Sequence, residues 1–299
     1  MSFDINTQRD FQKQLQYVVE GTTASTFGNG GGTDPSFTQA GRNPRITNFV
    51  KRPEGVEIRQ LGSSARADNV KVFEAGELSF TTTITHEDQL KWFFNAPSGA
   101  GTCEESRTYL FSKNIGSTEY YRVCKGCSPI SARLSITKRG LVELDATIFV
   151  ADASDEVTSH GLTGTPVFAT AITDSPWTHD SGSTTPLTID SVAYNPFSLS
   201  LNTTWNYAYL DNSGSTKVLY SKPVSQAVNV DFDVAKKDAL LSADGAALTK
   251  TTASYTIASG TTATFTNFQI QESGETHDQD SSDAVIESYS AVCDTVAIA

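Results

Sequence analysis

Three stretches of this sequence carry residue types that chemistry could use, and each also has a plainer use. Cys124 and Cys127 form a C-x-x-C in RVCKGCSP. That spacing suits a zinc site or thiol exchange, but zinc takes about four ligands. Cys103 and Cys293 stand alone and the four His residues are scattered, so the thiols read as structural, in strands and turns. The spacing assigns no disulfide. HDQDSSDAV, with Asp278, Asp280 and Asp283, starts like a calcium loop but lacks the invariant Gly and the closing bidentate Glu. It reads as a turn between strands. FGNGGGTDP is glycine-rich, yet no strand leads into it and no Lys-Ser/Thr follows, so it is no phosphate loop. G-x-S-x-G and H-E-x-x-H are absent as well. The expectation is a protein that is not an enzyme, with no catalytic, metal or cofactor-binding residues and no cofactor.

What remains is charge. The chain has 299 residues and a formal net charge of -12. A surface that grips nucleic acid needs a basic patch to release counterions, and this composition argues against one. It permits the opposite, a surface to which DNA does not stick. Hydrophobic residues make up 38%, with a single Met. Short Thr- and Val-rich runs between Gly, Ser, Asn and Pro indicate an all-β protein with little helix. The N-terminal MSFDINTQRDFQKQ lacks the basic-then-apolar pattern of a signal peptide. No apolar run approaches the roughly 18 residues of a membrane span. Folding in a cytoplasm, with no membrane partner, is the expectation.

The elements that would position these charges show in the alternation. GELSFTTTIT puts Leu78, Phe80, Thr82 and Ile84 on one face, and THEDQLKWFFNAP then turns helical. Thr85 with Asp88 has capping spacing, Leu90, Phe93 and Phe94 form the stripe, and Pro97 ends it. LVELDATIFVA alternates Val142, Leu144, Ala146 and Ile148 against Glu143, Asp145 and Thr147. Trp92 reads as core, while a subunit interface is a second use for Trp177 and Trp205. Residues 1–44 read as an arm in which Phe11, Leu15 and Val18 allow one short amphipathic helix. The Gly-rich stretch after it is too polar to bury itself, so the arm is disordered or held by a neighbouring subunit. Residues 153–186 read as a connector with one strand at most, in VFATAI.

The chain writes this pattern twice. An offset of 150 positions carries Leu78, Phe80, Thr82 and Ile84 onto Val228, Val230, Phe232 and Val234, and Leu90 onto Leu240. RITNFV at 45 lies against NPFSLS at 195. At an offset of 144, GSTEYYR meets GTTATFT, LVELDATI meets VIESYSAV, and Glu143 coincides with Glu287. Four elements recurring in one order imply a duplication, with units at 45–152 and 187–299. Each unit is expected to be a β-sandwich or partly closed barrel with one short flanking helix.

AGELSFTTTITHEDQLKWFF resembles the strand-plus-helix signature of tail tube proteins of long-tailed viruses. YYRVCKGCSPISARLSITKRGLVELDATIFVAD resembles that family's aromatic strand, turn, strand, Gly turn and closing strand. NPFSLSLNTTWN, VSQAVNVDFDVAKKDALL and TATFTNFQI resemble the second half of two-domain members. The resemblance implies a structural virion protein, made in the host cytoplasm and located in the virion tail. Duplicated members form homotrimers with pseudo-sixfold rings, which stack into a tube through which genome DNA passes without specific binding. The same fold occurs in the tubes of contractile secretion machines. Implied partners are further copies of the chain and the terminator, baseplate or tip, and tape-measure proteins. Candidate lumen-facing residues are Glu143, Asp145, Asp231, Asp233 and Glu287; their plain alternative is to face solvent or a neighbouring subunit. The arm, through Phe11, Leu15 and Val18, would lock one ring to the next. The competing reading is a two-domain β-sandwich for virion decoration or receptor binding, with Trp177 and Tyr194 as contact aromatics.

Overall fold

Alternation in the sequence becomes strand almost everywhere in the computed structural model. It describes residues 11–59, 66–99, 101–115, 117–137, 139–170, 172–179, 186–211, 218–235, 251–277 and 285–299. In 11–14, 52–59, 66–74, 115, 211, 274–277 and 285 it describes the backbone only. The first half of the chain contains β1 (Phe11–Gly21), β2 (Thr38–Gln39), β3 (Arg42–Arg59), β4 (Arg66–Thr83), α1 (Asp88–Phe94), β5 (Ser106–Ile115), β6 (Thr118–Thr137) and β7 (Val142–Ala153). The second contains β8 (Leu187–Ile189), β9 (Val192–Tyr194), β10 (Pro196–Asp211), β11 (Val218–Ala235), β12 (Thr251–Ala258), β13 (Thr261–His277), β14 (Val285–Cys293) and β15 (Thr295–Ile298).

The fold is all-β, and its strand pairs are antiparallel. In the first half β3, β4, β7 and β6 are successive neighbours. In the second half β10, β11, β14 and β13 take the same order. Ser131–Thr137 of β6 then pairs with Ser198–Thr204 of β10, so the two four-strand sets form one continuous sheet. The ladder registers show one plan used twice. Phe80 lies opposite Ala146 just as Val230 lies opposite Ala291. Thr81 lies opposite Asp145 just as Asp231 lies opposite Ser290. Hence β4 and β11 correspond at the expected offset of 150, but β7 and β14 correspond at 145 rather than 144. For β3 the expected pairing also moves: Ile46 corresponds to Leu201 and Phe49 to Thr203.

One face of this sheet carries the core. Leu78, Phe80, Leu134, Leu144, Val230, Phe232 and Ala291 are all buried in a single cluster that spans both halves. Long strands β6 and β13 leave the sheet to enter a second layer. There β6 pairs with β5, and β13 with β12 and β15. Phe80 meets Tyr109 of β5 at 5.8 Å, and Phe232 meets Phe268 of β13 at 6.4 Å. Burying each such ring is worth about 2–3 kcal/mol.

Helix α1 ties the halves together. Its last carbonyls have no intrahelical donor. Trp205 Nε1 donates to Phe93 O at 2.8 Å, and Gln226 Nε2 to Phe94 O at 2.8 Å. Trp205 is therefore buried within its own chain, as is Trp92. The cap differs from the Thr85–Asp88 expectation. Gln89 Oε1 accepts the Thr85 and His86 N–H groups at 2.9 and 3.2 Å, so Gln89, not Asp88, partners Thr85. The matching KKDALL of the second copy, with Leu240, lies outside the described residues, as do Asp278, Asp280 and Asp283.

Residues 11–44 depart most from expectation. Phe11–Gly21 is a strand, not a helix, and it pairs along β5. Leu15 and Tyr17 enter the main core, while Val18 joins Phe37, Leu110 and Val123 on the opposite face. A strand with both faces covered does not alternate, which is why helical spacing fitted equally well. The Gly-rich stretch is held to its own chain by buried Glu20. Oε2 accepts the Gly28 N–H at 2.8 Å; Oε1 accepts Gly30 and Gly126 N–H, both at 3.2 Å, and the Thr108 hydroxyl at 2.5 Å. The connector wraps over this region with isolated bridges Ser36–Val167 and Tyr121–Val157 in place of a strand in VFATAI. The described part of the connector runs to buried His179. The carbonyl of Pro196, 3.1 Å from Nε2, can only accept, so Nε2–H donates to it, while Nδ1 lies 3.0 Å from Tyr255 OH.

Candidate functional site

Period-two alternation sends to one face of the joined sheet what the core rejects. This face is concave, with depressions of about 500 and 330 Å³ along it. Its walls carry Ser79, Thr81, Asp145, Thr147 and Arg133 in the first half. Ser198, Ser200, Asp231, Asp233, Glu272, Ser288 and Ser290 continue it in the second.

Asp231 and Asp233 sit on β11 between two strands of small polar residues. Asp233 accepts Ser198 Oγ from β10 at 2.5 Å and Ser288 Oγ from β14 at 2.6 Å. Asp231 accepts Asn202 Nδ2 at 3.3 Å and Ser290 Oγ at 2.8 Å. Each carboxylate is thus held across the strands by a donor from either side. In the first half the same places are filled in reverse. Thr81 and Thr83 on β4 correspond to Asp231 and Asp233, while Asp145 and Glu143 on β7 correspond to Ser290 and Ser288. Both halves therefore keep one carboxylate and one hydroxyl in each cross-strand pair, at two levels two residues apart, about 6.7 Å along the strands. The carboxylate has moved one strand over, but its level is unchanged.

Four of the five expected residues share this face: Glu143, Asp145 and Asp231 are exposed and Asp233 is half-buried. Glu287 does not. It lies opposite Val234, points to the core side, is buried, and accepts Tyr289 OH at 2.7 Å. The one-residue difference between offsets 144 and 145 turned that side chain over, because strand faces alternate every residue. Ser288 and Ser290 are the true counterparts of Glu143 and Asp145. Two basic residues also lie on this face, where the acidic pattern of the sequence does not mark them. Arg133 shares the parity of Ser131 and Ser135, and its Nε donates to Ser200 Oγ at 2.9 Å. Arg45 lies opposite Thr81. Glu272 was hidden by the bulge between Ile270 and Glu272, which shifts the alternation of β13.

The arm candidates are placed differently. Leu15 and Val18 are buried within their own chain. Phe11 lies at the start of β1, outside the described side chains. The four thiols are free and buried. Burial pushes Cys103, Cys124 and Cys293 up to about 12, and Cys127 well above the ordinary thiol value. No group of acids, His and Cys suited to a metal occurs among the described residues. No helix among them is long and apolar enough to cross a membrane.

No family model matches the sequence, and no curated protein matches it. Among solved structures the chain is similar to Hcp1 from Flavobacterium johnsoniae, at 12% identity and a TM-score of 0.26, over 38% of this chain and 93% of that one. A superposition that loose carries no argument about function.

Proposed function

We propose that this chain is a structural tube protein of a viral tail. Three copies join edge to edge into a ring of six equivalent places, and the rings stack around a channel that lets DNA pass. The observation that carries this reading is the joined sheet: two halves of one plan, paired strand to strand, share one concave face with carboxylates kept at two levels. On that wall the carboxylates of Glu143, Asp145, Asp231, Asp233 and Glu272 outnumber the guanidinium groups of Arg45 and Arg133, so it repels phosphate at close range and offers it few counterion-releasing cations. Screening confines the effect to about 8 Å at physiological salt, so the wall acts on DNA that nearly fills the channel. Terminator, baseplate or tip, and tape-measure proteins are the partners proposed for the tube ends and interior, and the virion tail is the proposed location.

A receptor-binding or decoration module would need exposed aromatics. Of the aromatics expected to serve there, Tyr194 is buried and Trp177 packs against the core, while Phe168 and Tyr209 are exposed. Electron microscopy of the purified protein separates the two: rings or hollow filaments support the tube, and dispersed single particles at all concentrations overturn it.

A further inference from the structure

The β6–β10 joint inside the chain is a template for a joint between chains. Among the described residues β3 has one strand neighbour, β4, and the C-terminal part of β13 from Gln269 has one, β14. These strands occupy the two ends of the joined sheet. By the ladder registers β3 is the counterpart of β10, and this part of β13 is the counterpart of the β6 segment that β10 receives. The internal joint places Arg133 opposite Asn202, with the Arg133 Nε reaching diagonally to Ser200 Oγ. Carried through the registers, Arg133 becomes Glu272, Asn202 becomes Asn48 and Ser200 becomes Arg45. The residue then opposite Arg45 is Gly274, which puts no side chain between the guanidinium and Glu272.

Resting on the tube reading, we propose that β3 of one copy receives β13 of a second copy in this register, and that Arg45 and Glu272 pair across the joint. Both residues are exposed, and neither has an ion-pair partner among the described residues. Diagonal neighbours across an antiparallel pair lie within reach of long side chains. The charges also choose the partner. A β3 edge meeting another β3 edge brings Arg45 against its own kind, and two β13 edges do the same with Glu272. Only unlike edges attract, which gives a head-to-tail contact that closes into a ring rather than a two-fold dimer. Inside the chain, where no choice of partner is needed, the same diagonal is the uncharged-to-charged contact of Ser200 with Arg133.

Charge exchange tests this. Arg45→Glu alone and Glu272→Arg alone should each lower ring yield roughly tenfold or more at near-physiological salt, since like charges at an interface are strongly disfavoured. The double variant R45E/E272R should recover to within about threefold of the unmodified chain. Single variants that assemble normally, or a double variant no better than the singles, overturn the pairing while leaving the tube reading intact. If the unmodified chain itself makes no rings, the tube reading and this joint fall together. Ring yield is read by mass photometry and electron microscopy, with circular dichroism confirming that each variant is folded.

Discussion

Replacing Glu20 with Ala should unfasten the Gly-rich loop while leaving the rest of the chain folded. The carboxylate accepts three backbone N–H groups, from Gly28, Gly30 and Gly126, and the Thr108 hydroxyl. The Gly30 and Gly126 contacts are buried, the Gly28 contact is partly open to water, and the hydroxyl can rotate to another acceptor. Each stranded buried donor costs about 1–3 kcal/mol. Against this, the variant no longer carries the desolvation cost of a buried carboxylate, which is several kcal/mol in effective terms. Two fully stranded donors and one half-stranded donor, less part of that relief, leave a net loss of about 3 kcal/mol. At about 2–4 °C per kcal/mol for a chain of this size class, the melting temperature should fall by about 6–12 °C. Glu20→Gln keeps one acceptor oxygen but turns an N–H₂ toward a donor, and should lose about half as much. Limited proteolysis with mass spectrometry should find new cleavage within residues 22–36 in the Ala variant. A melting temperature unchanged within about 1 °C, together with an uncut loop, would refute the claim that Glu20 holds this segment to its own subunit.

Phe232→Ala removes a buried ring stacked on Tyr289 at 5.3 Å and should cost about 3–5 kcal/mol, measured by chemical denaturation; a loss under about 1 kcal/mol would mean the second sandwich is not packed as described. The thiols should react slowly with a maleimide at pH 8 when native and fully when denatured, because burial holds them protonated. Their folded values lie above the ordinary thiol range, so the unfolded chain loses protons first. Stability should be complete below about pH 8.5 and fall as pH rises from there toward about 12; a flat stability curve across that window would contradict this. Asp145→Lys with Asp231→Lys should convert the concave face into one that retains duplex DNA at low salt, with affinity falling steeply as salt is added. A gel-shift or filter assay on assembled protein checks it, and equal retention by the unmodified chain would show that the face does not repel DNA.

The face of each central strand was legible because alternation is strong there. Leu78 to Ile84, Val142 to Ile148 and Val228 to Val234 are buried at every second place, as read. The strand-to-strand correspondence of β4 with β11 was legible for the same reason. In β14 it was not. Ile286 and Val292 lie on one face and Tyr289, Ala291 and Cys293 on the other, so apolar residues appear at both parities and a one-residue slip goes unnoticed. Only the hydrogen-bonded partners settle the phase, and with it the removal of Glu287 from the concave face. In β13 the bulge before Glu272 breaks the alternation on which reading depends. In β1 the residues on both faces are buried, by the core on one side and by Phe37, Leu110 and Val123 on the other.

The order of residues alone determined that this chain is built from strands, that the pattern of β4 recurs in β11, and that Glu143, Asp145, Asp231 and Asp233 stand on the polar sides of their strands, because those properties follow from local periodicity. Tertiary structure alone decided that the halves join through β6 and β10, that carboxylates and hydroxyls exchange strands while keeping their levels, and that Glu20 gathers a glycine-rich loop from its own subunit. The β6–β10 joint pairs residues more than sixty positions apart, and Glu20 reaches Gly126 across 106 positions as well as nearby Gly28 and Gly30; contacts of this kind leave no periodic trace in the sequence.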